Sequence, residues 1–171
     1  MVALSSPAFA QKLNLPFRDV GACPFECCTY REWTTKKNTV LLKNMADNSP
    51  VYFKVQKGEK VQGLTGIVIT TKPGIREATR NTYIEYYDKK KNELRSIPIK
   101  KGESFSVLTY LGEGVYKVWY KGKMYETHLD PPQFKKINDP LSVWWVKIKN
   151  RKGQIGWTKL VENFEDMDAC G

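Results

Sequence analysis

Four cysteines and one histidine carry most of the reactive chemistry in this 171-residue chain. Three cysteines crowd into Cys23-Pro24-Phe25-Glu26-Cys27-Cys28, and the fourth is Cys170. In an exported protein, an even number of cysteines points to disulfides. A bond between the adjacent Cys27 and Cys28 would form a strained ring, so each is expected to pair elsewhere. The expected bonds are Cys23 with Cys28 and Cys27 with Cys170, or the same set with Cys27 and Cys28 exchanged. Either way, one bond ties the two chain ends together. A zinc site would need paired C-x-x-C or histidine ligands, and His128 stands alone, so no metal is expected. A lipid-modified Cys23 is disfavoured because Lys12, Arg18 and Asp19 stand where an apolar signal core would lie. A thiol nucleophile is usually placed at a helix start beside its base, whereas these cysteines sit in a proline-broken turn. His128 followed by Asp130 is the nearest approach to an acid–base pair. There is no phosphate-cradling glycine loop or paired-carboxylate motif. The expectation is no catalytic residue, no cofactor and no enzyme.

Binding chemistry is better represented. Trp145, Lys147 and Lys149 recur at every second position, and so do Lys117, Trp119 and Lys121. On strands, each set would share one face. Aromatic plates beside cations suit sugars, peptides bearing a carboxylate, or nucleotide bases. These six residues are the expected ligand-binding set.

The elements that must position them are short strands. Between residues 144 and 149, Trp144, Val146 and Ile148 alternate with the polar face, which is the pattern of a half-buried antiparallel strand. Asn150 to Gly153 supply turn chemistry. Ile155 and Trp157 are expected to resume the inward face, and Trp33 and Tyr30 to pin the N-terminal segment to the barrel. A second hairpin runs through Val115–Tyr120, the Lys121-Gly122 turn and Lys123–His128. Tyr83 to Tyr87 read as one strand, followed by a Lys-rich turn. Residues 55–65 and 99–109 align with a shift of 44 and share Lys, Gly, Glu, Leu and Thr, the mark of two copies of one unit.

The closing hairpin, from Trp145 to Gly156-Trp157, resembles the last half of a bacterial SH3-like (SH3b) barrel. The strand, the Asn48-Ser49-Pro50 loop and Lys57-Gly58-Glu59 resemble its first half. Residues 21–171 look like a family of exported bacterial proteins with two such barrels and no settled activity. The residues that carry this are Gly21-Ala22-Cys23-Pro24-Phe25-Glu26, Cys28-Thr29-Tyr30-Arg31-Glu32-Trp33, Leu64-Thr65-Gly66, Lys72-Pro73-Gly74, Leu108-Thr109-Tyr110 and Gly112-Glu113-Gly114. The resemblance implies an all-β chain of two small SH3-like barrels that bind wall peptides or polysaccharides. The second copy has its own closing hairpin and the first has none before residue 75. This favours nesting: a first barrel from 38–74 plus 142–165, with the second, 75–141, inserted in it. A plain tandem, 30–95 then 96–165, is the alternative. Residues 1–10 are expected to be the remnant of a signal peptide, because Ala8-Phe9-Ala10 has the form of a cleavage site. Residues 11–37 form a cysteine-containing segment, and 166–171 a tail tied by Cys170.

The formal charge is +10, from 28 Lys plus Arg against 18 Asp plus Glu. It favours anionic partners, and it also keeps strand edges from pairing with one another. No apolar run approaches the ~18 residues of a membrane span. The expected role is a secreted or periplasmic, non-enzymatic module for a wall peptide or anionic wall polymer. The alternatives are a structural module that binds an envelope protein, and a basic nucleic-acid-binding barrel.

Overall fold

The computed structural model describes residues 12–129 and 132–170; the expected signal remnant therefore lies outside the described residues. The described chain is all-β apart from one short 3-10 turn. Its strands are β1 (Phe17–Val20), β2 (Glu32–Thr35), β3 (Thr39–Leu42), β4 (Val51–Val55), β5 (Lys60–Lys72), β6 (Gly74–Ala78), β7 (Thr82–Asp88) and β8 (Glu93–Ile99). They continue with β9 (Ser104–Gly112), β10 (Val115–Tyr120), β11 (Lys123–His128), β12 (Phe134–Asn138), β13 (Leu141–Lys149), β14 (Ile155–Thr158) and β15 (Phe164–Glu165).

The 13-residue β5 is the spine of the larger sheet. That sheet runs β15-β2-β5-β13-β14-β3-β4, with β1 also paired to β5. On β13, Trp145 lies opposite Ile67 of β5, and on β14, Trp157 lies opposite Leu42 of β3. The sheet is therefore assembled from an early and a late stretch of chain. The strands between them form a second sheet, β11-β10-β9-β6-β12, and a two-stranded ribbon, β7-β8. Beyond the expected elements, β1 and β2 fall in the stretch read as an N-terminal segment, yet both are strands of the larger sheet. Trp33 on β2 does more than pin that segment. It is fully buried in the first core with Leu41, Val55, Val61, Val146, Ile148 and Phe164, and its indole lies flat on Gly63, where a Cβ would come within 2.7 Å of it.

The expected inward facing of Ile155 and Trp157 is corrected. Across the β13–β14 ladder, Ile148 opposes Gly156 and Lys147 opposes Trp157, and cross-strand partners share a face. Gly156 therefore turns to the core with Ile148, and Trp157 turns outward with Lys147. A Cβ at 156 would lie 2.8 Å from that of Leu41, so the core admits only glycine at this close approach.

The two sheets are copies of one design down to their hydrogen bonds. The Gly58 N–H reaches the Thr35 carbonyl at 2.7 Å, and the Gly102 N–H reaches the Ala78 carbonyl at 2.8 Å. The Lys57 N–H binds the Asn38 side chain at 2.9 Å, as the Lys101 N–H binds that of Asn81 at 3.0 Å. Both turns need positive φ, and both use glycine, Gly58 at 83° and Gly102 at 84°. The second core, with Ile84, Ile99, Phe105, Val118 and Phe134, repeats the positions of Leu41, Val55, Val61, Ile148 and Phe164 in the first.

The N-terminal segment straps the copies together. Disulfides join Cys23 to Cys28 and Cys27 to Cys170, with Cα separations of 5.5 and 5.7 Å. The Phe25 ring meets Trp144 edge-on at 5.9 Å, while the Phe25 backbone lies against Gly112 of the second sheet. On β1, Asp19 accepts a 2.7 Å hydrogen bond from the Lys117 ammonium of β10. Tyr30 donates to the Ala22 carbonyl and accepts from the Trp144 Nε1–H at 3.2 Å. Burial pushes the Tyr30 hydroxyl up to about 12, although the Trp144 hydrogen bond pulls the other way.

Candidate functional site

The six expected ligand-binding residues do not form one site. Trp145, Lys147 and Lys149 do lie on the face away from the first core, since Val146 and Ile148 face it. However, Trp145 is only 4% exposed, and the Lys159 ammonium sits 5.9 Å above its ring. Lys147 likewise sits 5.5 Å over Trp157. Both indoles are thus capped by lysines of the same chain; Lys159 is also ion-paired with Asp47 at 2.6 Å, so the cations this face turns outward are Lys147 and Lys149. On the second sheet, Lys117 is held in its ion pair with Asp19, its side chain 20% exposed. Trp119 is half-buried on the same face of β10. Lys121 occupies the tight turn, 4.7 Å over the Tyr120 ring and 3.3 Å from Glu103. The Glu103 carboxyl is held below its usual range, first by the Lys100 N–H it accepts, then by the Tyr120 hydroxyl.

A different site emerges from comparing the two copies. In the first, β14 is bridged to β3 at Trp157 and Leu42, which joins the β3–β4 ribbon to the rest of the sheet. In the second, β11 and β7 hold the matching places, but no ladder joins them among the described residues. A cleft of about 820 Å³ opens there. The ribbon lines one wall with Tyr83, Glu85, Tyr86, Tyr87 and Leu94, and Arg80 stands at its start. The opposite wall carries Glu126, Thr127 and His128 of β11, with Gln133 and Phe134 at one end.

Local contacts brace this cleft. Tyr86 packs on Tyr125 with ring centroids 4.9 Å apart, and burial, then the neighbouring Tyr86 and Tyr120, push the Tyr125 hydroxyl up. Lys89 pairs with Glu126 at 3.1 Å across the gap. Thr82 donates to the Gln133 side chain, just as Asn163 donates to Thr39 in the first copy.

The strand edges add backbone chemistry. Tyr83 lies opposite Pro98 in the β7–β8 ladder. Proline has no N–H to give, so this is a non-hydrogen-bonded pair. By alternation, the backbone groups of Tyr83, Glu85 and Tyr87 point away from β8, toward the cleft. The wall therefore offers aromatic faces beside peptide groups that have no ladder partner among the described residues. The tyrosines had left a trace in the sequence, three of them in the five residues Tyr83-Ile84-Glu85-Tyr86-Tyr87. Asp130, the imagined partner of His128, lies outside the described residues. All four cysteines are oxidised. No cluster of three or more His, Cys, Asp or Glu suited to a metal occurs among the described residues. No family model, curated protein or solved structure matches the chain.

Proposed function

We propose that the chain is a non-enzymatic, SH3-like binding module of an exported bacterial protein, secreted or periplasmic, whose ligand is a cell-wall peptide. The observation that carries this reading is the tyrosine-lined cleft at the open seam of the second copy. An extended peptide can hydrogen-bond to an unpaired strand edge while its alternate side chains meet pockets, and β7 supplies both requirements. The two disulfides suit an oxidising compartment. No helix among the described residues is long and apolar enough to cross a membrane.

A second reading rests on a separate observation. Lys147 and Lys149 make a cationic face beside the capped indoles, suited to an anionic wall polymer or to an acidic surface of an envelope protein. Small basic barrels also bind single-stranded nucleic acid, which an oxidising compartment disfavours. The deciding experiment is calorimetric titration with soluble wall-peptide fragments, comparing the wild type with a Tyr83→Ala/Tyr87→Ala variant and a Lys147→Gln/Lys149→Gln variant. Both tyrosines are exposed, so their loss leaves the core intact. Weakening of at least about tenfold, roughly 1.4 kcal/mol, is expected in the tyrosine variant alone. Weakening in the lysine variant alone would move the site to the cationic face.

A further inference from the structure

We propose that the cleft selects a ligand bearing an alkylammonium group, seated against Glu85 between the rings of Tyr83 and Tyr87. This rests on the reading of the cleft as the ligand site. Tyr83, Glu85 and Tyr87 are alternate residues of β7, so their side chains share one face. Successive members stand about 7 Å apart along the strand, at two residues each. The two rings are 58% and 52% exposed, and so are open to a ligand. Across the ladder, the residues on that face are Pro98, Ser96 and Leu94, and none carries a cation.

Glu85 makes no ion pair among the described residues, whereas Arg95 and Lys89 of the same ribbon are engaged. Arg95 is shared by Asp88 and Glu93, at 3.7 and 3.4 Å, and Lys89 is taken by Glu126. In a chain with ten more cations than anions, a carboxylate left unneutralised between two exposed rings is a local exception. Its chemistry is that of a cation receptor. The carboxylate supplies charge, and the ring faces attract an ammonium through their quadrupoles. Arg80, at the start of the ribbon, and His128, on the opposite wall, also line the cleft but lie outside this row.

The test uses the full chain and two neutral-ended probes, acetyl-Ala-Lys-Ala-amide and the same peptide with the lysine Nε acetylated. Binding is followed by amide chemical shifts. The lysine peptide is expected to shift Tyr83, Glu85 and Tyr87 saturably and to bind at least tenfold more tightly than the acetylated one. Glu85→Gln should abolish that difference, and Arg80→Gln should preserve it. If the two probes bind the cleft equally, the charge preference is overturned while the cleft remains a peptide site. If neither probe shifts these residues, the preference is overturned as well. The wall-fragment titration then decides independently whether the cleft binds peptide at all.

Discussion

The bond between Cys27 and Cys170 should be the largest single covalent contribution to stability. It closes a sequence separation of 143 residues, whereas Cys23–Cys28 closes one of 5. In the chain-entropy model these loops correspond to about 5 and about 2 kcal/mol at 25 °C. Non-covalent contacts join the chain ends as well, through the β2–β15 ladder and through Arg31 and Thr34, which donate to Asp166. The Thr29 N–H binds the Met167 carbonyl and the Ala169 N–H binds that of Cys27, each at 2.8 Å. Cys27→Ser/Cys170→Ser should therefore lower the melting temperature by about 10–20 °C, at about 2–4 °C per kcal/mol for a chain of this size. Cys23→Ser/Cys28→Ser should lower it by less than half as much. Urea unfolding followed by tryptophan fluorescence is the assay of choice, because Trp33, Trp144, Trp145 and Trp157 all lie on strands of the larger sheet. If the short bond proves worth as much as the long one, or if removing the long bond leaves the midpoint unchanged, the reasoning fails.

Lys117→Met should cost about 3–5 kcal/mol, because it leaves Asp19 buried at the seam without its cation. Asp19→Asn combined with Lys117→Met should recover a large part of that loss, as read from the urea midpoint. Alkaline pH should loosen the strap through Tyr30. Its folded value is raised from 10.0 to about 12, so the stability it carries is fully present below pH 10 and is lost as the pH rises toward 12. Tyr30→Phe should flatten part of that alkaline loss, and an unchanged pH profile would count against the assignment.

The β13–β14 hairpin was legible because period-two alternation survives in a strand with one buried face. Its far side was misread because the register passes through Asn150–Gln154 and brings Gly156, not a hydrophobic residue, to the core. A glycine admitted by close packing gives no apolar signal. The 44-residue recurrence was visible because the Lys-Gly-Glu turns need the same backbone conformation in both copies. β1 was missed because Arg18 and Asp19 leave the segment without an apolar alternation, whereas Asp19 is buried by its tertiary pairing with Lys117. The face carrying Trp145, Lys147 and Lys149 was legible, but the capping of Trp145 by Lys159 depends on residues 14 positions apart in sequence. The cleft was illegible for a different reason. It exists because one ladder present in the first copy is missing in the second, and no residue type announces a missing hydrogen bond between distant strands.

Peptide recognition by the second copy depends on that open seam. Its most direct test is amide chemical-shift mapping of the full chain during titration with soluble wall peptide. Saturable shifts are expected at Tyr83, Glu85, Tyr87, Glu126 and His128, with Lys147, Lys149 and Lys159 unmoved. Shifts confined to the lysine face, or to neither face, would contradict it.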